Sequence, residues 1–228
     1  MVGRVFGLTT TTLIMLATCC ASSVIRTRFI LTRTQHPGNV GAAARALKTM
    51  GFEELVLVAP NDPKVLNRKR AKDGASGAVN VLESARVVDT LEEALDGMEI
   101  RCATGMPFDM HQERKQQLYV EPRPFFQGLL KAGDERPTSI AFVFGNERVG
   151  LQRQDFELCH VALGIPTNPG FGSLNLASAV QLIAYDWRQA LGGFPSSDYL
   201  TVNAGMSDAN VDSCRFRGFA QDNDISSV

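Results

Sequence analysis

Residues 168–186, NPGFGSLNLASAVQLIAYD, set two glycines, a proline and an aromatic ahead of Ser173 and Asn175, after which the pattern becomes an apolar helix rich in small residues. Such residues at the mouth of a helix destined for burial suit a ligand better than more protein. Glycine permits close main-chain approach, and the first N–H groups of a helix have no intrahelical partner. Two more glycine-bearing segments, ATGMP at 103–107 and FGNERVG at 144–150, follow apolar runs that read as strands. Neither common phosphate-binding pattern accompanies them. No GxGxxG follows the first strand, since HPGNVGAAAR carries only Gly38 and Gly41 in another spacing, and there is no GxxxxGK[ST]. The glycine loops therefore point to a compact neutral or cationic cofactor.

Other chemistries find little support. His36, His111 and His160 lack HExxH spacing and have no Ser or Cys nucleophile motif beside them. Cys19, Cys20, Cys102, Cys159 and Cys214 are odd in number and without CxxC spacing, so neither a disulfide framework nor a zinc site is expected, and no metal. This cysteine usage fits a reducing compartment, the cytoplasm. At 228 residues with a formal net charge of -1, the chain has no global signature of a nucleic-acid binder. An anion-binding surface must be local, and KVLNRKRAK gathers Lys64, Arg68, Lys69, Arg70 and Lys72. The same charges also read as a solvated loop and helix face.

The elements that would position these loops alternate. VIRTRFILT and ELVLVAP read as strands around a helix NVGAAARALKTMG, with Asn39 as its N-cap, Gly51 at its end and Val40, Ala43, Leu47 and Met50 as its buried stripe. Arg45 lies off that stripe. A strand near 86–88, a helix capped by Asp89 or Thr90 and ended by Gly97, and a strand reaching Thr104 repeat the theme. Residues 107–119 read as a loop, 122–131 as a helix, SIAFVFG as a central strand buried on both faces, 152–158 as a helix and VALGIP as a last strand. A final helix is expected from about Leu174 to Leu191. The alternation predicts an α/β domain over 24–192, with a mostly parallel sheet, helices on both faces and ligands beyond the carboxyl ends of the strands. Residues 1–23 resemble a poor secretory signal and are too interrupted for a membrane span; a non-structural leader, translated from an upstream start codon, is the preferred reading. Residues 193–228 are polar and expected to hold little packed structure.

HPGNVGAAARALKTMGFEELVLVAP, FVFGNERVGL and IPTNPGFGSLNLASAVQLIAYD, in this order, resemble the three motifs of the SPOUT methyltransferases, in the TrmH-like branch of RNA ribose 2'-O-methyltransferases. Within it the likeness is strongest to bacterial enzymes acting on cytidine and uridine of tRNA, and it spans about 25–191. The resemblance implies S-adenosylmethionine as cofactor, bound in a trefoil knot in the C-terminal part of the sheet, a homodimer, and tRNA as partner, modified at anticodon-loop position 32. It implies a cofactor pocket of Thr104, Gly105, Met106, Gly145, Ile165, Gly172, Ser173 and Leu174. Small residues Ala177, Ser178 and Ala179 would permit close helix packing in the knot or across the dimer. The tail stands where that branch usually carries a further helical region.

By the same resemblance Arg45 is the catalytic arginine, and Asn39, Glu147, Ser173 and Asn175 are the other polar motif positions. A guanidinium stays protonated throughout the physiological range and is a poor base, so Arg45 is read as a phosphate clamp that also stabilises the developing alkoxide. Glu147 would orient Arg45 or the substrate, Asn175 the loop or nucleotide, and Ser173 would touch phosphate or cofactor. RNA contacts fall to Arg33, Arg45, Arg68, Lys69 and Arg70. Each residue has a structural alternative: Asn39 and Ser173 as helix caps, Glu147 in a salt bridge with Arg148, Asn175 as a first-turn polar residue, Arg45 as a solvated helix arginine. Other readings of the chain are a related enzyme acting on ribosomal RNA or another tRNA position, a non-catalytic RNA-binding module, and, more distantly, a nucleotide-dependent oxidoreductase.

Overall fold

The computed structural model describes residues 25–106, 119–131 and 136–195. The leader, most of the 107–119 loop and the tail beyond 195 lie outside them. The elements run β1 (Arg26–Thr32), α1 (Pro37–Thr49), β2 (Glu54–Val58), α2 (Lys69–Ala75), α3 (Val79–Ser84), β3 (Arg86–Val88), α4 (Leu91–Leu95), β4 (Ile100–Gly105), α5 (Pro122–Leu130), β5 (Ser139–Phe144), α6 (Arg153–Glu157), β6 (Val161–Gly164) and α7 (Leu176–Ala190).

The six strands form one sheet in the order β3-β2-β1-β5-β4-β6, and every pairing is parallel. From β1 the chain builds outward through β2 to β3, then crosses to fill the other side. The order reverses between β1 and β5, and in open α/β sheets that junction is where ligands bind. Side-chain alternation divides the core. Phe29, Leu31, Ile140, Phe142 and Phe144 face α1, α5 and α7, whereas Ile30, Val56, Ala103, Ala141 and Val143 face α4, Met98 and Leu151. Every residue of β5 is buried, as a central parallel strand requires.

The first face is aromatic. Phe126 lies 5.2 Å from Trp187 and 5.5 Å from Phe142, which lies 5.2 Å from Phe29. Trp187 is fully buried and donates its indole N–H to Thr27 Oγ1 at 2.9 Å, so it brings no unpaired donor into the core. On the second face the buried Arg28 donates to the carbonyls of Ala94 (2.6 Å) and Asp96 (3.0 Å) and pairs with Glu54 (2.7 Å), neutralising a charge that burial would otherwise penalise.

Two element boundaries and one segment differ from the expectations. Helix α1 starts at Pro37 with His36 as N-cap, so Asn39 is inside its first turn rather than capping it; proline at the first helical position was the signal. Helix α7 starts at Leu176, and Asn175, not Ser173, is its cap, with Oδ1 accepting the Ala177 N–H at 2.9 Å. Residues 65–84 add two short helices with flanking 3-10 turns against α1, too brief for a clear periodicity. Among the described residues no helix is long and apolar enough to cross a membrane, and no group of three His, Cys, Asp or Glu could hold a metal.

Candidate active site

The loops after β4, β5 and β6 meet at the carboxyl edge of the sheet and enclose a cavity of about 380 Å³. Thr104, Gly105, Met106, Gly145, Ile165, Gly172, Ser173 and Leu174 all line it, so three segments far apart in sequence share one wall. Leu151, Phe156 and Leu176 supply much of its apolar surface, and Glu147 stands among its polar residues. A volume of this size with few convergent polar groups is what a small-molecule site has.

The glycines have a reason other than ligand approach. A Cβ on Gly145 would lie 2.1 Å from the Gly150 carbonyl carbon and 2.2 Å from the Leu151 nitrogen, a collision with backbone. One on Gly172 would lie 2.9 Å from Thr167 Oγ1 and 3.1 Å from Met106 Sδ. These loops need glycine to close on themselves and on each other.

At the rim Glu147 reaches across to the start of α1. Its carboxylate accepts the N–H of Gln35 (2.9 Å), the N–H of His36 (3.1 Å) and Asn39 Nδ2 (3.1 Å). Burial pushes the carboxyl up, but the donors from Gln35, Asn39 and His36 outweigh it, so Glu147 titrates below the ordinary 4.5 and is held ionised. The first turn of α1 has no acidic residue and no side-chain cap, and Glu147 brings negative charge to that positive helix end. Asn39 Oδ1 then accepts from Asn175 Nδ2 at 3.0 Å, which ties the starts of α1 and α7 together. The carboxylate is thus committed to this junction rather than to Arg148 or Arg45.

Arg45 stands apart from the cavity. It is exposed, and it shares a groove with Ala42, Ala46 and Thr49 of α1 and Ala177, Ser178, Gln181 and Leu182 of α7. The opening turns of α7 separate the two places, since Leu176 and Ala179 line the cavity while Ala177 and Ser178 line the groove. Arg33, 26% exposed at its side chain, pairs its guanidinium with both carboxylate oxygens of the buried Asp155. In the basic segment Arg68 pairs with Asp62 and Lys69 with Asp73, while Arg70 and Lys72 are exposed. Sequence reasoning missed Asn146, a buried polar residue of the cavity lining, and the buried Asp155. Asp155 at the third position of α6, closing a capping box with Gln152, was the readable signal.

Residues 26–185 match the SpoU rRNA Methylase family. The chain belongs to that family. It is 42% identical over 165 residues to the tRNA (cytidine/uridine/adenosine-2'-O-)-methyltransferase TrmJ of Pseudomonas aeruginosa (strain UCBPP-PA14), covering 72% of this chain and 61% of the relative. A solved probable methyltransferase from Bordetella pertussis Tohama I superposes with a TM-score of 0.67 at 43% identity, over 75% of this chain and 98% of the other. TrmJ from Z. mobilis ZM4 superposes with a TM-score of 0.62 at 29% identity, over 83% of this chain and 86% of the other. The chain spans 61% to 64% of the length of the curated relatives it matches. The SpoU match takes in all three motif segments up to Tyr185, hence both the cavity and the Arg45 groove.

Proposed function

We propose that the chain is an S-adenosylmethionine-dependent tRNA ribose 2'-O-methyltransferase, working in the cytoplasm as a homodimer and acting on cytidine or uridine at anticodon-loop position 32. The observation that carries this reading is the convergence of Thr104–Met106-side, Gly145-side and Ile165–Leu174-side loops on one cavity of about 380 Å³, with an ionised carboxylate at its rim. An anionic rim and a largely apolar lining suit a cationic sulfonium, and the trefoil threading belongs to the same reading. When bound, the cofactor supplies a methyl group already activated for in-line displacement. Its holders are Thr104, Gly105, Met106, Gly145, Ile165, Gly172, Ser173 and Leu174.

The polar residues divide the remaining work. Glu147, Asn39 and Asn175 lock the starts of α1 and α7 beside the cavity, fixing where the ribose must sit. Glu147 already receives hydrogen bonds from three donors, which makes it an anchor and a poor proton acceptor. Arg45 clamps phosphate and stabilises the alkoxide that forms as the 2'-hydroxyl loses its proton to solvent water. A second copy seated on the α1–α7 face brings Arg45 of one protomer to the junction between the two. Small Ala42, Ala46, Ala177 and Ser178 and the exposed Leu182 and Tyr185 favour such packing. Arg68, Lys69 and Arg70 extend the RNA surface, and surface ion pairs such as Arg68–Asp62 are weak and screened by solvent, so phosphate displaces them readily.

Incubation with methyl-labelled S-adenosylmethionine, total tRNA lacking the modification and ribosomal RNA, followed by nucleoside mapping, tests the proposal. Label at ribose of position 32 is the expected result. Label confined to ribosomal RNA keeps the chemistry and overturns the substrate; no label and no calorimetric heat with cofactor or S-adenosylhomocysteine overturns both.

A further inference from the structure

We infer that Arg33 is a positioning residue that fixes the 145–151 wall of the cavity, through its pairing with Asp155 and its main-chain bond to Asn146, and is not an RNA contact. The inference rests on the cofactor reading of that cavity. Arg33 has φ 50, in the left-handed region that non-glycine residues seldom adopt. Such a conformation persists where the surroundings over-determine it. Here its N–H donates to the Val58 carbonyl at 2.8 Å and its own carbonyl accepts from Asn146 Nδ2. Its guanidinium donates to Asp155, with Nη1 to Oδ1 at 3.2 Å and Nη2 to Oδ2. The Asp155 side chain is 3% exposed and the Arg33 side chain 26%, and Arg33 Nε is buried with no partner among the described residues, so the paired part of the guanidinium faces protein while its remainder reaches the surface.

Both ends of the cavity loop are thereby held by one residue. At the near end Asn146 Oδ1 accepts the N–H of Arg148 (2.9 Å) and of Val149 (3.4 Å), and Asn146 and Gly150 exchange backbone bonds at 3.2 and 2.8 Å. At the far end Asp155 Oδ2 accepts the Gln152 N–H at 2.6 Å and starts α6. Asn146 itself, Arg148, Val149, Gly150 and Leu151 after it, and Phe156 just beyond Asp155 line the cavity. Arg33 touches none of the reacting groups and acts through Asn146 and Asp155.

The test uses the full chain with Arg33→Met, Arg33→Lys and Asp155→Asn. S-adenosylhomocysteine affinity is measured by calorimetry, and tRNA binding as a function of salt. Arg33→Met and Asp155→Asn should each weaken S-adenosylhomocysteine by about fivefold or more, as members of one hydrogen-bond network do. Arg33→Lys should recover part of that loss, and the salt slope for tRNA should not change. A phosphate ligand behaves in the opposite way: Arg33→Met lowers the salt slope by about one, and Asp155→Asn, which frees the guanidinium, strengthens tRNA binding. Either of those results, with unchanged S-adenosylhomocysteine affinity, overturns the inference. If Arg33→Met lacks the wild-type circular dichroism spectrum, Arg33→Lys is read in its place. A wild-type chain that binds no S-adenosylhomocysteine overturns the cofactor reading instead. Amide exchange of 145–151 then decides, faster exchange in the variants supporting the positioning role and unchanged protection ending it.

Discussion

Arg33 and Arg45 carry the same charge within one strand–helix unit, and the fold gives them opposite surroundings. At the cavity edge Arg33, Asp155, Asn146, Glu147, Asn39 and Asn175 are bonded to one another or to main chain. In the α1–α7 groove Arg45 is exposed among small side chains and makes no ion pair among the described residues. The first region spends its polarity internally and so is rigid before anything binds, which is what electrostatic preorganisation requires. The second, on the function proposed above, keeps its charge for a partner. Geometry and recognition are thus assigned to different sides of the same helix start, and each assignment can be broken separately.

Replacing Arg45 with alanine should give the largest effect and the narrowest one. Methyl transfer should fall by about 10²–10³ or more, the scale seen when a donor to a developing oxyanion is removed. Because the residue is exposed, thermal stability should move by less than about 0.5 kcal/mol, and S-adenosylhomocysteine affinity should hold. Single-turnover transfer alongside calorimetry would separate these. Full activity in the variant removes Arg45 from the mechanism, whereas a drop in stability would mean that Arg45 also holds the second copy on the α1–α7 face.

Glu147→Ala should do the reverse, with stability and cofactor affinity falling together. It orphans the N–H groups of Gln35 and His36 and the Asn39 amide; bonds to a charged acceptor are worth about 1.5–3 kcal/mol each, less here because the carboxylate is only half-buried and water can replace it. A loss of about 2 kcal/mol in urea unfolding is expected. A variant that keeps its unfolding midpoint would mean that the junction is not interlocked.

Much of this architecture was legible in the sequence, and the parts that were not share a cause. The strands were readable because buried parallel strands are short continuous apolar runs, such as Ser139–Phe144, and the cavity loops because glycine and proline punctuate 165–173. The start of α1 was misread: Asn39 is a good cap by type, but Pro37 had already begun the helix. The partner that compensates, Glu147, is more than a hundred residues away, at |i−j|=108 from Asn39. The pairing of Arg33 was hidden for the same reason, its acid being 122 residues further on. Residue type indicates that a charge needs company, while only the crossing order of the strands decides which loop supplies it.

Acid should find the interlocked region before the groove. Burial raises the Glu147 carboxyl and its donors lower it further, leaving it below 4.5; burial likewise opposes Arg26 and Arg28 at Glu54, and again the net direction is down. A carboxyl with a depressed folded pKa contributes stability fully above its unfolded value and loses it as pH falls through the folded one. Thermal stability should therefore be flat above pH 4.5 and decline below it, and Glu147→Gln should shallow that decline while Arg45→Ala leaves it as in the wild type. Melting curves across that range measure it, and parallel declines in wild type and Glu147→Gln would place the acid-sensitive contact elsewhere.

Asn175→Ala sharpens the comparison most finely, because this residue belongs to both helix starts. Its Oδ1 caps α7 through the Ala177 N–H and its Nδ2 reaches Asn39 Oδ1. Loss of a cap alone costs about 1 kcal/mol. Asn175→Asp preserves the cap acceptor and removes the donor to Asn39, so the difference between the two variants isolates the link between α1 and α7. If the junction is rigid as a unit, Asn175→Asp should retain most of the melting temperature yet weaken S-adenosylhomocysteine, since Leu174 and Leu176 on either side line the cavity. Equal cofactor affinity in wild type and Asn175→Asp would reduce the α1–α7 link to ordinary capping and leave Glu147 as the sole organiser of the rim.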